Sequence, residues 1–227
     1  MKFNQEEFNK FVVDNNVFGF FKDSIILKSG RETYFYANWR DVSGDVFLLD
    51  KLSDFVINFV EDLKIELNCF YGVPEGATKL GVITQYKWAK QSKEFGYGSH
   101  TLPMGRKKPK DHGDQKDKFF VGSPKGKIVV LEDVTTTGNS LVDTILMLFR
   151  CGFDIVAAIG LTNRMEKRDN GESVKKAIEK MNVPYYQLSS AISLLPFVSK
   201  KLNPTKNILK KVEQEFKEYG VERLKLL

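Results

Sequence analysis

The chain has 227 residues, 42% of them hydrophobic, and this length and composition predict one α/β domain with a modest appendage rather than a disordered chain. The formal net charge of +6 is compatible with a nucleic acid or with a polyanionic small substrate, but much of the excess lysine falls on the solvent face of an amphipathic C-terminal helix. The N-terminus lacks the pattern of a signal peptide, and no stretch stays apolar long enough to cross a bilayer. We therefore expect a cytoplasmic protein with no nucleic-acid or membrane partner.

The first third of the chain is predicted to form a flank that packs on a core. Apolar spacing predicts helices near residues 4–15 and 44–63, and a hairpin-like pair of strands is expected within 24–39. The two cysteines, Cys69 and Cys151, show no CxxC spacing, which argues against a thiolate metal site and favours reduced thiols.

From residue 68 the pattern alternates between strands and helices, which predicts a largely parallel, doubly wound sheet flanked by helices. Ligands of such sheets bind beyond the carboxyl ends of the strands, so the loops after Val73, Val134 and Leu161 are the first candidates for a site. The predicted elements are strands near 68–73, 97–104, 127–134 and 154–161, helices near 77–95 and 139–150, a further short helix and strand, and a helix within 204–220.

The segment 129–140, VVLEDVTTTGNS, is the strongest candidate for a ligand site. An apolar strand ends in Glu132 and Asp133, and at least one of these carboxylates should face the crevice, where it could hold ribose hydroxyls or Mg²⁺. The turn that follows opens a helix, where backbone amides and the helix dipole favour a phosphate. Its residues are Thr135, Thr136, Thr137, Gly138, Asn139 and Ser140.

Simple helix capping by threonine or serine is the competing interpretation of this turn, but it leaves the two acids unexplained. The chain contains neither GxxxxGK[ST] nor a GxGxxG that opens a helix. A P-loop nucleotidase and a dinucleotide-binding protein are therefore disfavoured.

The acids followed by threonine and glycine resemble the signature of the type I phosphoribosyltransferases, which bind 5-phosphoribosyl 1-diphosphate. Three further segments resemble parts of the orotate phosphoribosyltransferases, and the resemblance covers most of residues 20–170. These segments are LKSGRETYFY at 27–36, similar to the orotate-site segment, YGVPEGATKL at 71–80, similar to the pyrophosphate loop, and RKKPKDHGD at 106–114, similar to the catalytic loop.

The resemblance implies a type I phosphoribosyltransferase-like fold, with a mostly parallel sheet flanked by helices and a small hood built from the N-terminal and C-terminal segments. We expect a single domain over 1–227, with the N-terminal flank or hood in 1–65, the core in 66–190 and C-terminal helices in 191–227. The resemblance also implies a homodimer in which the catalytic loop reaches the neighbouring subunit's site.

The loop 106–118 carries six Lys or Arg residues, three Asp and one His, so it should be exposed and mobile, and it could close over pyrophosphate as a lid. A disordered surface loop is the competing interpretation. By the resemblance, Lys110 stabilises the leaving group, while Arg106, Lys107 and His112 bind pyrophosphate or assist proton balance. Asp133 completes the predicted catalytic set.

The resemblance also assigns residues to the two substrates. Those for phosphoribosyl diphosphate are Glu75, Gly76, Glu132, Asp133 and the turn residues Thr135 to Ser140, and those for orotate are Lys28, Tyr34, Phe35, Tyr36, Thr136 and Arg164. Arg164 could grip the orotate carboxylate bidentately while an aromatic ring stacks on the pyrimidine. An exposed loop arginine is the alternative for Arg164. Mg²⁺ is the expected cofactor, held mainly by substrate and water.

The implied reaction converts orotate and phosphoribosyl diphosphate to orotidine 5′-monophosphate and pyrophosphate, a step of pyrimidine biosynthesis. Two alternatives stay open from the sequence. One is a phosphoribosyltransferase for another base, and the other is a regulator that senses phosphoribosyl diphosphate.

Overall fold

The computed structural model describes residues 2–27, 29–111 and 118–227. Two of the predicted site residues, Lys28 and His112, lie outside these ranges. The N-terminal part contains two strands and three helices: α1 (Gln5–Asp14), β1 (Phe18–Ile26), β2 (Glu32–Ala37), α2 (Arg40–Gly44) and α3 (Val46–Asp62). Strands β1 and β2 pair in antiparallel fashion, so the predicted hairpin is confirmed.

The rest of the chain supplies the central sheet and the helices around it. These elements are β3 (Cys69–Gly72), α4 (Thr78–Gln91), β4 (Met104–Gly105), β5 (Phe120–Val121), β6 (Lys127–Thr135), α5 (Asn139–Arg150), β7 (Asp154–Asn163), α6 (Val174–Glu179), β8 (Tyr185–Ser190), α7 (Ala191–Leu202) and α8 (Lys206–Glu218). Strands β3, β6, β7 and β8 form a parallel sheet in that order. The predicted parallel α/β architecture is confirmed.

Strand β6 is buried on both faces because its apolar side chains alternate between two cores. Val129 and Leu131 join the larger core, and Ile128 and Val130 join the smaller core beneath α5 and α6. Helices therefore cover both faces of the sheet. Since the strand order follows the chain order, the carboxyl ends of β6 and β7 lie side by side, with Val134 opposite Thr162.

The N-terminal and C-terminal segments pack on the same face of the sheet. Phe8 of α1, Trp39, Val198 of α7 and Phe216 of α8 all belong to the larger core. The apolar stripe expected on the last helix is buried, with Leu209, Val212 and Phe216 turned inward. No described helix combines the length and the apolar character needed to cross a membrane.

The strand predicted near 97–104 is wrong. Only Met104 and Gly105 are in a strand there, and they pair with β5 in a separate two-stranded ribbon rather than joining the parallel sheet. Gly98 has a positive φ of 77°, and Pro103 has no N–H to donate to a ladder, so the segment cannot form a continuous strand.

Candidate functional site

A cavity of about 730 Å³ opens at the carboxyl end of β6. One wall is the turn between β6 and α5, and the other comes from the β1–β2 hairpin and the start of α2. The sheet thus places the cavity where parallel sheets bind ligands. Its lining residues are Asn16, Phe21, Ile25, Leu27, Ser29, Tyr36, Ala37, Asn38, Arg40, Asp41, Glu132, Asp133, Val134, Thr136, Thr137, Gly138, Asn139, Ser140 and Arg164.

The turn before α5 has the shape of an anion cradle. Gly138 adopts a left-handed φ of 68°, and a Cβ at this position would lie 2.6 Å from Val174 Cγ1, so only glycine fits. The N-cap residue of α5 is Gly138, which has no side chain and so makes no side-chain cap hydrogen bond. The competing interpretation, in which a threonine or serine is the N-cap of this helix, is therefore disfavoured.

Thr135 is the exception among the predicted turn residues. Its side chain is buried, and its hydroxyl lies 2.8 Å from the Tyr185 hydroxyl beneath the turn. Thr135 is not among the lining residues, and its hydroxyl is used within the protein, so the prediction that this hydroxyl contributes to the phosphate site is wrong. The carbonyl of the neighbouring Thr137 accepts a 2.6 Å hydrogen bond from Arg168 Nη1, which braces the turn from outside.

Both members of the acidic pair line the cavity. Glu132 is buried and Asp133 is half-buried. Burial raises the pKa of the Asp133 carboxyl, and backbone hydrogen bonds and the charge of Arg40 partly oppose this rise. A Cβ on Gly76 would lie 2.5 Å from the Asp133 carboxylate oxygens. The absence of a side chain at Gly76 thus lets the loop 72–78 approach the acidic pair closely.

The ribbon of β4 and β5 carries the basic loop. Its ladder continues past the strands, since the Arg106 N–H donates to the Phe119 carbonyl at 2.8 Å and the Lys110 N–H to the Lys118 carbonyl at 3.0 Å. Residues 107–111 are exposed, as predicted. Lys107 Nζ lies 2.7 Å from Glu75 Oε2, so the basic loop meets the loop 72–78 of its own chain.

The three aromatic residues predicted to hold the base are separated by the structure. Tyr36 lines the cavity beside Phe21, with ring centroids 5.2 Å apart. Phe35 is completely buried and packs against Phe216, so its assignment to the base wall is wrong; neighbouring strand residues point to opposite faces. Tyr34 lies outside the cavity lining, near Lys211.

Arg164 lies on the cavity wall, but it is only 2% exposed and bound to the protein on most sides. Its Nε donates to Glu166 Oε1 at 2.7 Å, and its Nη2 donates to Glu215 Oε1 at 3.1 Å. The remaining bonds run from Nη2 to Thr33 Oγ1 at 2.9 Å and from Nη1 to the Phe35 carbonyl at 3.3 Å. A guanidinium has five N–H donors, so these bonds use four of them, and a bidentate grip on the orotate carboxylate stays a prediction that requires Arg164 to exchange at least one of these bonds.

The cavity residues around the start of α2 were not predicted from the sequence. Asn38, Arg40 and Asp41 line the cavity directly after the aromatic run. The segment ANWRD was the available signal, because it follows Tyr36 immediately and concentrates polar side chains between two elements. Nothing local in it indicates that residue 40 approaches residue 133.

No family model matches the chain. It is 31% identical over 181 residues to an orotate phosphoribosyltransferase of Lachnoclostridium phytofermentans, covering 77% of this chain and 76% of that protein. It is 28% identical over 237 residues to an orotate phosphoribosyltransferase of Clostridium botulinum, covering 96% and 98% of the two chains.

Solved structures of proteins with that name share the fold. The orotate phosphoribosyltransferase of Francisella tularensis has a TM-score of 0.68 at 20% identity and covers 94% of this chain and 99% of its own. That of Mycobacterium tuberculosis, solved with 5-phospho-α-D-ribosyl 1-diphosphate, has a TM-score of 0.57 at 18% identity and covers 84% and 98%.

The parallel sheet, the glycine turn and the adjoining acids place the protein in the type I phosphoribosyltransferase class of fold. Within that class, the chain belongs to the orotate phosphoribosyltransferase family.

Proposed function

We propose that this protein transfers the 5-phosphoribosyl group from phosphoribosyl diphosphate to orotate, giving orotidine 5′-monophosphate and pyrophosphate in pyrimidine biosynthesis. The observation that carries the proposal is a single cavity that joins the anion cradle, the acidic pair and an aromatic wall at Tyr36. One cavity thus offers a place for the phosphate, the ribose and the base.

The sugar phosphate would bind along the β6–α5 turn. Its 5′-phosphate fits the amides and hydroxyls between Thr136 and Ser140, at the N-terminus of a twelve-residue helix. Asp133 and Glu132 would accept hydrogen bonds from the ribose hydroxyls. The diphosphate would then point toward Gly76, whose backbone already adjoins Asp133.

The basic loop would stabilise the departing pyrophosphate. Negative charge builds on that group as the bond at the anomeric carbon breaks, and preorganised cations lower the barrier by stabilising it. We assign this role to Lys110, with Arg106 and Lys107 binding pyrophosphate. The exposure of Lys110 supports the assignment, because an exposed cation is free to reach a ligand. His112 is retained as a further candidate from the resemblance alone.

Mg²⁺ is proposed as the cofactor. In the described part of the chain, no cluster of three or more His, Cys, Asp or Glu side chains could hold a metal ion by itself. The carboxylates of Glu132, Asp133 and Asp41 all line the cavity, so an ion held mainly by diphosphate, ribose hydroxyls and water fits beside them. When bound, Mg²⁺ would neutralise charge on the diphosphate.

We further propose a homodimer in which the basic loop acts in the neighbouring subunit's cavity. Apolar side chains beside and on the ribbon are exposed, with Leu102 at 51%, Met104 at 37% and Val121 at 42%. A cluster of exposed apolar residues next to a functional loop is typical of a protein interface. Two free cysteines support the proposal of a cytoplasmic location.

Mixing two impaired variants, at a phosphoribosyl diphosphate concentration too low to saturate Asp133→Asn, tests the shared loop. Lys110→Ala removes the loop cation and Asp133→Asn alters the cavity, so a mixed dimer with a shared loop contains one cavity in which both residues are intact. We expect the mixture, after dissociation and reassociation, to recover a substantial part of wild-type turnover. A mixture as inactive as its components, at a composition shown to contain mixed dimers, would mean that the loop acts on its own chain.

Orotate consumption, followed by ultraviolet absorbance, tests the reaction itself. Loss of orotate is expected only when protein, phosphoribosyl diphosphate and Mg²⁺ are all present. Uracil should be a poor substrate, since a site built for a carboxylate leaves a charge unpaired with it. If the protein turned over uracil or a purine in preference to orotate, the assignment of the sugar site would stand and the assignment of the base would be wrong.

A further inference from the structure

Arg164 shares one buried cluster of charges with Arg31, Glu166 and Glu215. Its Nε lies 2.7 Å from Glu166 Oε1, and its Nη2 lies 3.1 Å from Glu215 Oε1. The other oxygen of Glu166 lies 3.1 Å from Arg31 Nη1. All four side chains are at most 10% exposed, so water screens their charges poorly and the charges must balance one another.

This cluster is neutral when both acids are ionised, because two arginines face two carboxylates. The groups around it change that balance little. Arg31 also pairs with Asp169 at 3.0 Å, but the Asp169 side chain is 86% exposed, so water screens its charge. Lys211 is exposed and lies over the Tyr34 ring. Tyr219, whose ring lies under Arg31, is uncharged at neutral pH, as phenols are.

A ligand carboxylate on Arg164 would bring a third negative charge to the cluster. Arg164 lines the cavity, and the proposed base carries a carboxylate. Four N–H groups of the guanidinium already donate to the protein, so a bidentate grip requires at least one of these bonds to be released. A proton on one of the two acids would offset the added charge and weaken that acid's hold on the arginine.

Glu215 is better suited than Glu166 to accept that proton. Both arginines donate to Glu166, whereas Glu215 has one arginine, at 3.1 Å, and the Tyr34 N–H, at 3.3 Å. Burial raises the pKa of Glu215 to about 7, and Arg164 and Thr33 partly oppose that rise. Glu215 therefore exchanges its proton near neutral pH.

Protonation of Glu215 would also release the arginine at little cost in hydrogen bonds. An N–H of Arg164 Nη2 becomes available to the ligand when Glu215 Oε1 no longer holds it. The Tyr34 N–H still donates to Oε2. The hydroxyl of Thr33 is a hydrogen-bond partner of Glu215, and a hydroxyl can donate to a carboxylate or accept from a protonated acid.

We propose that Glu215 is a positioning residue for Arg164 and takes up one proton from solvent when the carboxylate of the pyrimidine binds to this arginine. The proton adds to the carboxylate oxygen that releases Arg164, so the cluster is neutral before and after binding. The C-terminal helix α8 is thereby part of the site for the base without touching the ligand. This inference rests on the proposed function, because it concerns one group of the proposed substrate.

Proton uptake on binding of orotidine 5′-monophosphate tests the proposal. This nucleotide carries the pyrimidine carboxylate and the sugar phosphate in one molecule. Calorimetry at pH 8 in buffers of different ionisation enthalpy gives the number of protons taken up. Glu215→Gln keeps the shape of the side chain but cannot accept the proton. Glu218→Gln is the matched control, because it changes an exposed acid of the same helix.

At pH 8 the wild type and Glu218→Gln should take up roughly 0.5 to 1 proton more than Glu215→Gln, because a group with a pKa near 7 is mostly ionised there before binding. The affinity of the wild type should therefore fall more steeply above pH 7 than that of Glu215→Gln, by up to about tenfold per pH unit. Uridine 5′-monophosphate, which lacks the carboxylate, should give the same proton count with both proteins.

Equal proton uptake by the wild type and Glu215→Gln would overturn the inference. If thermal unfolding shows that Glu215→Gln does not fold, the two nucleotides decide with the wild type alone. Greater uptake at pH 8 with orotidine 5′-monophosphate than with uridine 5′-monophosphate supports the inference, and equal uptake overturns it.

Failure of the proposed function looks different. In that case the wild type neither consumes orotate nor binds orotidine 5′-monophosphate. Failure of this inference leaves both of these properties intact and changes only the proton count.

Discussion

Lys110 is the side chain on which the proposed chemistry depends most. The loop that carries it is exposed, and its backbone is held by the ladder to Lys118. If its charge is needed mainly as pyrophosphate departs, Lys110→Ala should lower kcat on the order of a hundred- to a thousandfold. The dissociation constant for phosphoribosyl diphosphate should change far less.

Lys108→Ala is the matched control for this experiment, because Lys108 is an exposed lysine of the same loop with no assigned role. Rapid-mixing kinetics would separate the chemical step from binding. A Lys110→Ala protein with normal kcat would remove the lysine from the mechanism.

Asp133 should act on binding instead. Its carboxylate lies in the cavity, against Gly76, where it is positioned for ribose hydroxyls. Asp133→Asn keeps the shape and removes the charge, so we expect affinity for phosphoribosyl diphosphate to fall roughly tenfold or more. Calorimetric titration measures this directly, and wild-type affinity in the variant would rule out the assignment.

Single residues also show where sequence reasoning succeeded. Glu132, Asp133 and most of the turn were found because their signal is local: acids at the end of a buried strand, then residues that open a helix. Arg40 was missed as a cavity residue, and the buried hydrogen-bond network of Arg164 was not predicted. Their environments depend on contacts with residues far away in the chain, such as Asp133 and Glu215, which no local pattern encodes.

At the scale of elements, the turn between β6 and α5 offers a sharp test. Gly138→Ala places a Cβ 2.6 Å from Val174 Cγ1 at a φ of 68°, so the turn must shift. We expect a loss of about 1–3 kcal/mol of stability, together with a clear loss of affinity for phosphoribosyl diphosphate because the cradle amides move.

Gly152→Ala is the matched control at the other end of α5. Gly152 also has a positive φ, 79°, but open space surrounds its missing Cβ. The Gly152→Ala variant should lose stability through backbone strain and keep its affinity for phosphoribosyl diphosphate. The affinity for phosphoribosyl diphosphate is measured by calorimetry, and the unfolding midpoints are measured alongside. Equal affinity in the two variants would mean that the turn does not bind the ligand.

The elements that the sequence predicted best are those whose pattern is fully local. The apolar run of β6 and the stripe of α8 were recognised because burial on two faces, or on one helical stripe, sets the residue types directly. The prediction of a strand at 97–104 failed because Pro103 and the positive φ of Gly98 interrupt the segment, and because pairing partners are a property of the whole sheet.

At the scale of the whole molecule, the C-terminal helix is tied to the base wall through Glu215. Burial raises the pKa of Glu215 to about 7, and Arg164 and Thr33 partly oppose that rise. The folded state therefore binds a proton more tightly than the unfolded chain does. The resulting stabilisation is full below the ordinary glutamate pKa and is lost as the pH rises through about 7.

Glu215→Gln should remove this part of the pH dependence. Between pH 5 and pH 8 the wild type should lose up to about 3 kcal/mol of stability from this group, whereas the variant should lose less. Thermal unfolding across that range measures the difference, with Glu218→Gln as an exposed control on the same helix. Parallel curves for wild type and Glu215→Gln would contradict the account of the buried network.

The assembly of one cavity from a β6 turn, a distant hairpin and a short helix is the central claim at this scale. It is tested most directly by the rate at which orotidine 5′-monophosphate and pyrophosphate form from orotate and phosphoribosyl diphosphate, measured for the purified wild type and for Asp133→Asn prepared identically. We expect equal amounts of the two products from the wild type and a greatly reduced rate, at the same substrate concentrations, from the variant. No product from the wild type, or equal rates from both proteins, would contradict the claim.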